Sequence, residues 1–142
     1  MILPDVNLLL YAEDVDSRFN QRARVWWDAQ LSGTEPVCLS WDTIAAFLRL
    51  STHHGAFPEP LSQTTAISRV QTWLAQPYVR VIHPTENHWA LFQLMLKDSQ
   101  AVGKLVPDAH LAALAIEHGC VLFSADADFA RFPKLKWKNP LK

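Results

Sequence analysis

Four aspartates, Asp5, Asp42, Asp108 and Asp126, are the residues whose type and spacing could do chemistry. Asp5 follows the apolar run that opens the chain. Asp42 comes three residues after Leu39 in Pro36-Val37-Cys38-Leu39, and Asp126 three after Phe123 in Cys120-Val121-Leu122-Phe123. Asp108 follows Pro107 at the head of an Ala-rich stretch that leads into the last of those runs. Each has an ordinary use on its own, as a helix cap or as a first-turn acid that the helix dipole stabilises by about 0.3–1 kcal/mol. Their joint placement is what points to chemistry. Ligands of open α/β sheets lie beyond the carboxyl ends of the strands, and that is where these acids fall if the apolar runs are strands. Carboxylates about 5 Å apart repel by about 3 kcal/mol per pair at an effective dielectric of about 20. A chain that gathers several must protonate them or bind a cation. Oxygen-only ligands select a hard ion, so Mg²⁺ is expected, with Mn²⁺ able to substitute, rather than Zn²⁺. Such a site suits phosphodiester hydrolysis, with the ion polarising the phosphoryl oxygen and lowering the pKa of the attacking water.

The elements that would carry these acids are legible from punctuation and period. Met1-Ile2-Leu3 reads as a strand ending at Pro4-Asp5, and Leu8 to Ala12 as a buried helical turn or two. Phe19, Ala23, Trp26, Trp27 and Leu31 share one face of a helix over 18–31, stopped by Ser32-Gly33 with Gly33 as its cap. Ser40 can cap a helix over 41–53. Helices over about 61–76, 85–101 and 107–118 follow, separated by Pro77, a strand over 79–82, and a stretch closed by Pro107. Gly119 ends the last helix, 120–123 is a fourth strand, 124–132 a turn with a short helix, and 135–137 an edge strand. Short apolar strands alternating with helices predict an α/β fold with a mainly parallel sheet covered on both sides. The length, 142 residues, predicts a single domain over 1–142.

Composition narrows the class. With 49% apolar and 19% charged residues, the chain is ordinary for a globular protein. No apolar run approaches the ~18–20 residues of a membrane span, and the opening lacks the basic start of a signal peptide. Cys38 and Cys120 form no C-x-x-C pair, so they read as reduced, buried thiols of a cytoplasmic protein. The net charge of −1 conceals an uneven distribution. Residues 1–17 hold acids and no Lys or Arg, whereas Arg131, Lys134, Lys136, Lys138 and Lys142 crowd the C-terminal stretch and Arg18, Arg22 and Arg24 form a second basic group. These could be a solvated surface or a phosphate-contacting rim beside an acidic pocket.

Three segments resemble a known family. Asp5-Val6-Asn7-Leu8-Leu9-Leu10-Tyr11-Ala12 resembles the opening D-x-N motif of PIN domains. Val106-Pro107-Asp108-Ala109-His110-Leu111-Ala112-Ala113-Leu114-Ala115 is similar to their third-acid helix, and Phe123-Ser124-Ala125-Asp126-Ala127-Asp128-Phe129 to their closing [TS]-x-D-x-D-F motif. Order and spacing resemble VapC-type toxins over nearly the whole chain. The resemblance implies a three-layer α/β/α sandwich with a mainly parallel sheet of four or five strands, and a Mg²⁺- or Mn²⁺-dependent endoribonuclease. It implies that Asp5 and Asp108 are the main metal ligands, that Asp126 completes the pocket, and that Asn7 and Ser124 orient these carboxylates. It also implies a cognate antitoxin partner, an RNA substrate, a homodimer and a toxin–antitoxin hetero-oligomer, with no membrane association.

The family's second acid is usually Glu, where this chain has Ala46; either Asp42, one turn earlier on the same helix face, replaces it, or the site has one acid fewer. Asp128 reads equally as a cap of the short helix. Pro4 is unusual for a central strand, because it removes a ladder amide. The six histidines show no metal-binding spacing, and His110, two residues from Asp108, is expected on a different helix face. Of the six tryptophans, Trp26, Trp27 and Trp41 lie on helices that in this family receive the antitoxin, so they could line its groove as well as pack the core. Two other readings remain. An aspartyl phosphatase would want D-x-D where this chain has Asp5-Val6-Asn7, and a catalytically inactive PIN-like module that binds RNA or protein would lack site-specific metal affinity. Neither a P-loop nor a G-x-G-x-x-G motif is present.

Overall fold

A computed structural model describes residues 1–142. The strands are β1 (Ile2–Pro4), β2 (Val37–Leu39), β3 (Val79–Val81), β4 (Val121–Phe123) and β5 (Trp137–Lys138). The helices are α1 (Val6–Glu13), α2 (Asn20–Ser32), α3 (Trp41–Ser51), α4 (Gln63–Leu74), α5 (His88–Ser99) and α6 (Val106–Glu117), with 3-10 turns at Gly103–Leu105 and Ala127–Arg131. All strand pairs are parallel and the order is β3-β2-β1-β4-β5. The chain thus winds outward from β1 through β2 to β3, then returns to place β4 on the other side of β1. The direction reverses between β1 and β4, and in open α/β sheets the crevice at such a reversal is the ligand site.

Strand alternation divides the core in two. Leu3, Cys38 and Leu122 face α5 and α6, joined by Met95, Leu114 and Phe129. Ile2, Val37 and Leu39 face α1 to α4, joined by Leu8, Leu9, Phe47 and Trp73. The result is the expected α/β/α sandwich. Ala109, Ala112, Ala113 and Ala115 are buried, so the small residues of α6 let it lie close to the sheet and to α5. Gly119, at φ +69°, makes the left-handed turn from α6 into β4. Gly33 follows α2 as expected, but in an extended conformation rather than a left-handed one.

Pro4, unusual for a central strand, is the last residue of β1 and aligns with Phe123 of β4, so pairing with β4 continues through it. The Ile2 amide donates to the Pro36 carbonyl beside β2 at 3.0 Å, and the Asp5 amide to the Phe123 carbonyl of β4 at 2.8 Å. Even positions of β1 therefore turn their nitrogens toward β2. There the ladder consists of the Ile2–Val37 pair, so the proline nitrogen costs no established bond. The expected helix over 85–101 starts later, at His88. Upstream, the Thr85 amide donates to Glu117 Oε1 at 3.0 Å and the Asn87 amide to the Thr85 hydroxyl at 3.2 Å, which holds this segment as an approach loop.

Candidate active site

Asp5 stands where β1 gives way to α1, as the N-cap of that helix. Its Oδ1 accepts from the Val6 amide at 2.8 Å and its Oδ2 from the Ser124 hydroxyl at 2.8 Å. Ser124, fully buried just past β4, also accepts from the Asn7 side-chain amide at 3.2 Å and from the Asp126 amide at 3.0 Å. Asn7 and Ser124 thus tie the turn after β1 to the turn after β4 across the reversal point. Ser124 holds the Asp5 carboxylate at one angle, and Asn7 acts through Ser124.

Asp108 comes from the first turn of α6, behind Pro107. A helix that crosses back to enter β4 begins at the carboxyl edge of the sheet, so its N-terminus brings this acid to the same crevice. Asp126 caps the 3-10 turn by accepting from the Asp128 amide at 2.9 Å. The capping role suggested for Asp128 therefore belongs to Asp126. Asp108, Asp126 and Asp128 each bring an oxygen within 4.8 Å of the others. Asp128 is thus a member of the cluster that sequence reading undervalued, although it stands in the D-x-D-F segment.

The electrostatics match this crowding. Burial pushes the Asp5 carboxyl above its usual range, with Asp126 adding to the rise and the Ser124 and Val6 hydrogen bonds opposing it. Asp108 is pushed up to about 6, first by burial, then by the charges of Asp5, Asp126 and Asp128, against the pull of Arg131. Like charges have been gathered at one edge with little compensation. An oxygen-only set of this kind, partly withdrawn from water, fits a hard divalent cation, which Asp5, Asp108, Asp126 and Asp128 could hold directly or through water.

A cleft of ≈ 530 Å³ opens beside the cluster, lined by Asp5, Asp108, Asp42, His110, Phe92 and Leu111 among others. Asp42 reaches this cleft but does not join the carboxylate group. Its side chain is 75% exposed and its Oδ2 lies 2.7 Å from His110 Nε2. Ala46 also lines the cleft. His110, expected on a different helix face from Asp108, nonetheless lines the same cleft. Side chains at a helix N-terminus tilt back over the end, so the cleft wraps around α6 and meets both. Of the three tryptophans, Trp27 is 3% exposed and packs edge-on against Trp73, hence belongs to the core. Trp26 is half-buried, stacked on Phe123 and Trp27, and Trp41 is 54% exposed.

Comparison with known proteins agrees with this geometry. The family model described as PIN domain matches residues 2–135. The chain belongs to the PIN-domain family. Among its curated relatives, Ribonuclease VapC37 of Mycobacterium tuberculosis is 41% identical over 140 residues, covering 99% of this chain and 97% of the relative. Ribonuclease VapC33 of the same species is 36% identical over 142 residues, covering 100% and 99%. Among solved structures, VapBC2 from Rickettsia felis bound to a promoter DNA fragment superposes with a TM-score of 0.71 at 15% identity, covering 98% of each chain. M. tuberculosis VapC20, described as a sarcin–ricin loop cleaving toxin, superposes with a TM-score of 0.66 at 17% identity, covering 92% and 93%. At those identities the superpositions speak to the PIN fold, while the sequence relatives place this PIN domain among VapC proteins.

Proposed function

We infer that this VapC-type PIN domain is a divalent-metal-dependent endoribonuclease and the toxin half of a toxin–antitoxin pair. The observation that carries the reading is the convergence of Asp108, Asp126 and Asp128 at the sheet reversal, beside an Asp5 near enough to raise Asp108, with Asp5 and Asp108 both held above their usual range. A fold gains no stability from such repulsion, so the arrangement makes sense as a cation site. The names of curated relatives such as Ribonuclease VapC37 and Ribonuclease VapC33 supply the substrate class. Complexes such as VapBC2 supply the kind of partner.

Mg²⁺ or Mn²⁺ held by these carboxylates would supply Lewis-acid polarisation of the phosphodiester and would lower the pKa of the attacking water. The protein's own groups do the positioning. Ser124 and the Val6 amide fix the Asp5 carboxylate, Asn7 fixes Ser124, and the Asp126 amide closes the same hydroxyl from the other side. An oriented carboxylate needs no rearrangement when the RNA arrives. No helix is long and apolar enough to cross a membrane.

The test is cleavage of pooled cellular RNA by the purified protein in Mg²⁺, in EDTA, and by Asp5→Asn in Mg²⁺. We expect cutting in Mg²⁺ only, with Asp5→Asn slower by about 100-fold or more. A folded wild type that cuts nothing and binds no Mn²⁺ would instead establish the inactive-module reading. Equal cutting by Asp5→Asn would remove Asp5 from the site.

A further inference from the structure

The cleft beside the carboxylates carries a chain of hydrogen bonds that the metal site does not use. Glu117, 3% exposed, sits at its inner end, where Oε2 lies 2.9 Å from His88 Nδ1. His88, 12% exposed, places its Nε2 2.8 Å from His110 Nδ1. His110 Nε2 in turn meets the exposed Asp42 carboxylate at 2.7 Å. Glu117 is itself anchored, because its Oε1 accepts from the Thr85 amide and lies 3.8 Å from His118 Nε2. Phe92 packs against both imidazoles, with centroids 5.7 and 5.5 Å away. His110 is thus held from behind by buried partners from α5 and α6, and from the front by one solvated side chain of α3.

The hydrogen count gives this chain a direction. Three hydrogen bonds link two carboxylates through two rings. Carboxylate oxygens accept, so His88 turns its Nδ1–H to Glu117 and His110 turns its Nε2–H to Asp42, toward the cleft. That hydrogen now meets an oxygen of an exposed carboxylate. A non-bridging phosphodiester oxygen is the same kind of acceptor with the same charge. If the chain served only to clasp α5 to α6, the His88–Glu117 bond would suffice. The extension to His110 instead presents an N–H donor in a cleft that Asp5 and Asp108 also line. An RNA strand entering beside four carboxylates needs such a donor.

We propose that His110, aimed by His88 and Glu117, is the cleft's contact for a phosphate oxygen of the RNA, with Asp42 holding its Nε2 hydrogen until the RNA displaces it. This rests on the ribonuclease reading. His110 touches the substrate; His88 and Glu117 act through it as positioning residues.

The experiment uses the full-length protein and an oligoribonucleotide carrying the cut site mapped in pooled RNA. Its KM and kcat in Mg²⁺ and its Kd in EDTA, read by fluorescence anisotropy, are compared for wild type, His110→Ala, His110→Gln, His88→Gln and the His88→Gln/His110→Ala pair. We expect His110→Ala to raise KM and Kd by roughly 10- to 100-fold. His110→Gln, which keeps an N–H near the Nε2 position, should recover part of that. Mn²⁺ affinity should stay within about twofold of wild type, which separates this contact from the metal site. His88→Gln should weaken RNA binding in the wild-type background and add nothing to His110→Ala, because its effect passes through that ring. Wild-type KM and Kd in both His110 variants would overturn the proposal, and so would His88 and His110 losses that multiply. Should His110→Ala prove unstable in a thermal melt, His110→Gln decides: an unchanged KM refutes the contact. A wild type that cuts no RNA brings down the ribonuclease reading itself, whereas a wild type that cuts beside indifferent histidine variants brings down this inference alone.

Discussion

Asp108 shows how a single residue links the fold to its chemistry. Its carboxyl is raised from about 3.8 to about 6, mainly by burial and then by Asp5, Asp126 and Asp128. Between those two values the folded protein binds more protons here than the unfolded chain does. Unfolding free energy therefore falls as pH rises through that window and levels off above it. Asp5 is shifted in the same direction. In metal-free protein, the thermal midpoint should gain more on acidification from pH 7.5 to pH 5 in wild type than in Asp108→Asn, which has no proton to take up. Added Mg²⁺ should reverse the preference, stabilising wild type more at pH 7.5 than at pH 5, because ion and proton compete for the same oxygens. Melting curves at the two pH values, with and without Mg²⁺, check both signs; equal pH responses of wild type and Asp108→Asn would dissociate the raised carboxyl from stability. At this scale the acids were readable in the sequence because each follows a short apolar run or a helix-opening proline. The His88–His110–Glu117 chain was not, since its members are 22 and 29 positions apart and meet only once α5 lies against α6.

Among the elements, α3 is the one that sets the rim of the cleft, and it hangs on one turn. Ser40 joins β2 directly to α3, accepting from the Thr43 amide at 3.1 Å while donating to the Thr43 hydroxyl at 3.0 Å. Both residues are buried. Ser40→Ala removes the cap and strands a buried hydroxyl, so it should cost about 1–2 kcal/mol. Denaturant titration should show a lower midpoint with an unchanged slope, and a loss under about 0.5 kcal/mol would mean the turn is held by packing alone. This cap was legible from the sequence, as were most helices and all five strands, because prolines, glycines and serines bracket each apolar run. The misreadings have local physical causes. The start of α5 moved because Glu117, remote in sequence, draws Thr85 into its own hydrogen bonds. Pro4 entered β1 because β1 bonds β4 through its odd residues and so does not use the missing amide. His110 met the cleft because helical period alone does not describe a surface that wraps a helix end.

At the scale of the whole molecule, the two edges of the sheet carry the exposed cations Arg80 on β3 and Lys138 on β5, which discourages pairing with another chain's strand. A protein partner has better purchase on the α1–α4 side. There a groove of ≈ 550 Å³ runs between α2 and the C-terminal segment, lined by Val25, Trp26, Pro140 and Leu141 with Arg22 and Lys142 at its margin. Arg22 closes one end by donating to the Leu141 carbonyl at 3.1 Å. The core position of Trp27 leaves Trp26 as the aromatic that α2 contributes to this surface. An apolar groove with cationic margins suits an amphipathic segment bearing acids, and under the toxin–antitoxin reading that segment belongs to the antitoxin. Trp26→Ala should then weaken antitoxin binding by roughly 30-fold or more, the size expected for a buried aromatic anchor. Because Trp26 also stacks on Phe123 and Trp27, that variant carries a folding cost. Val25→Glu separates the two effects, since Val25 is exposed and its replacement should leave the thermal midpoint nearly unchanged. Calorimetric titration of the cognate antitoxin into both variants decides the matter. Weakened binding by both, with RNA cleavage retained, places the antitoxin in this groove. Wild-type affinity in Val25→Glu moves it elsewhere, toward the exposed Trp41 of α3.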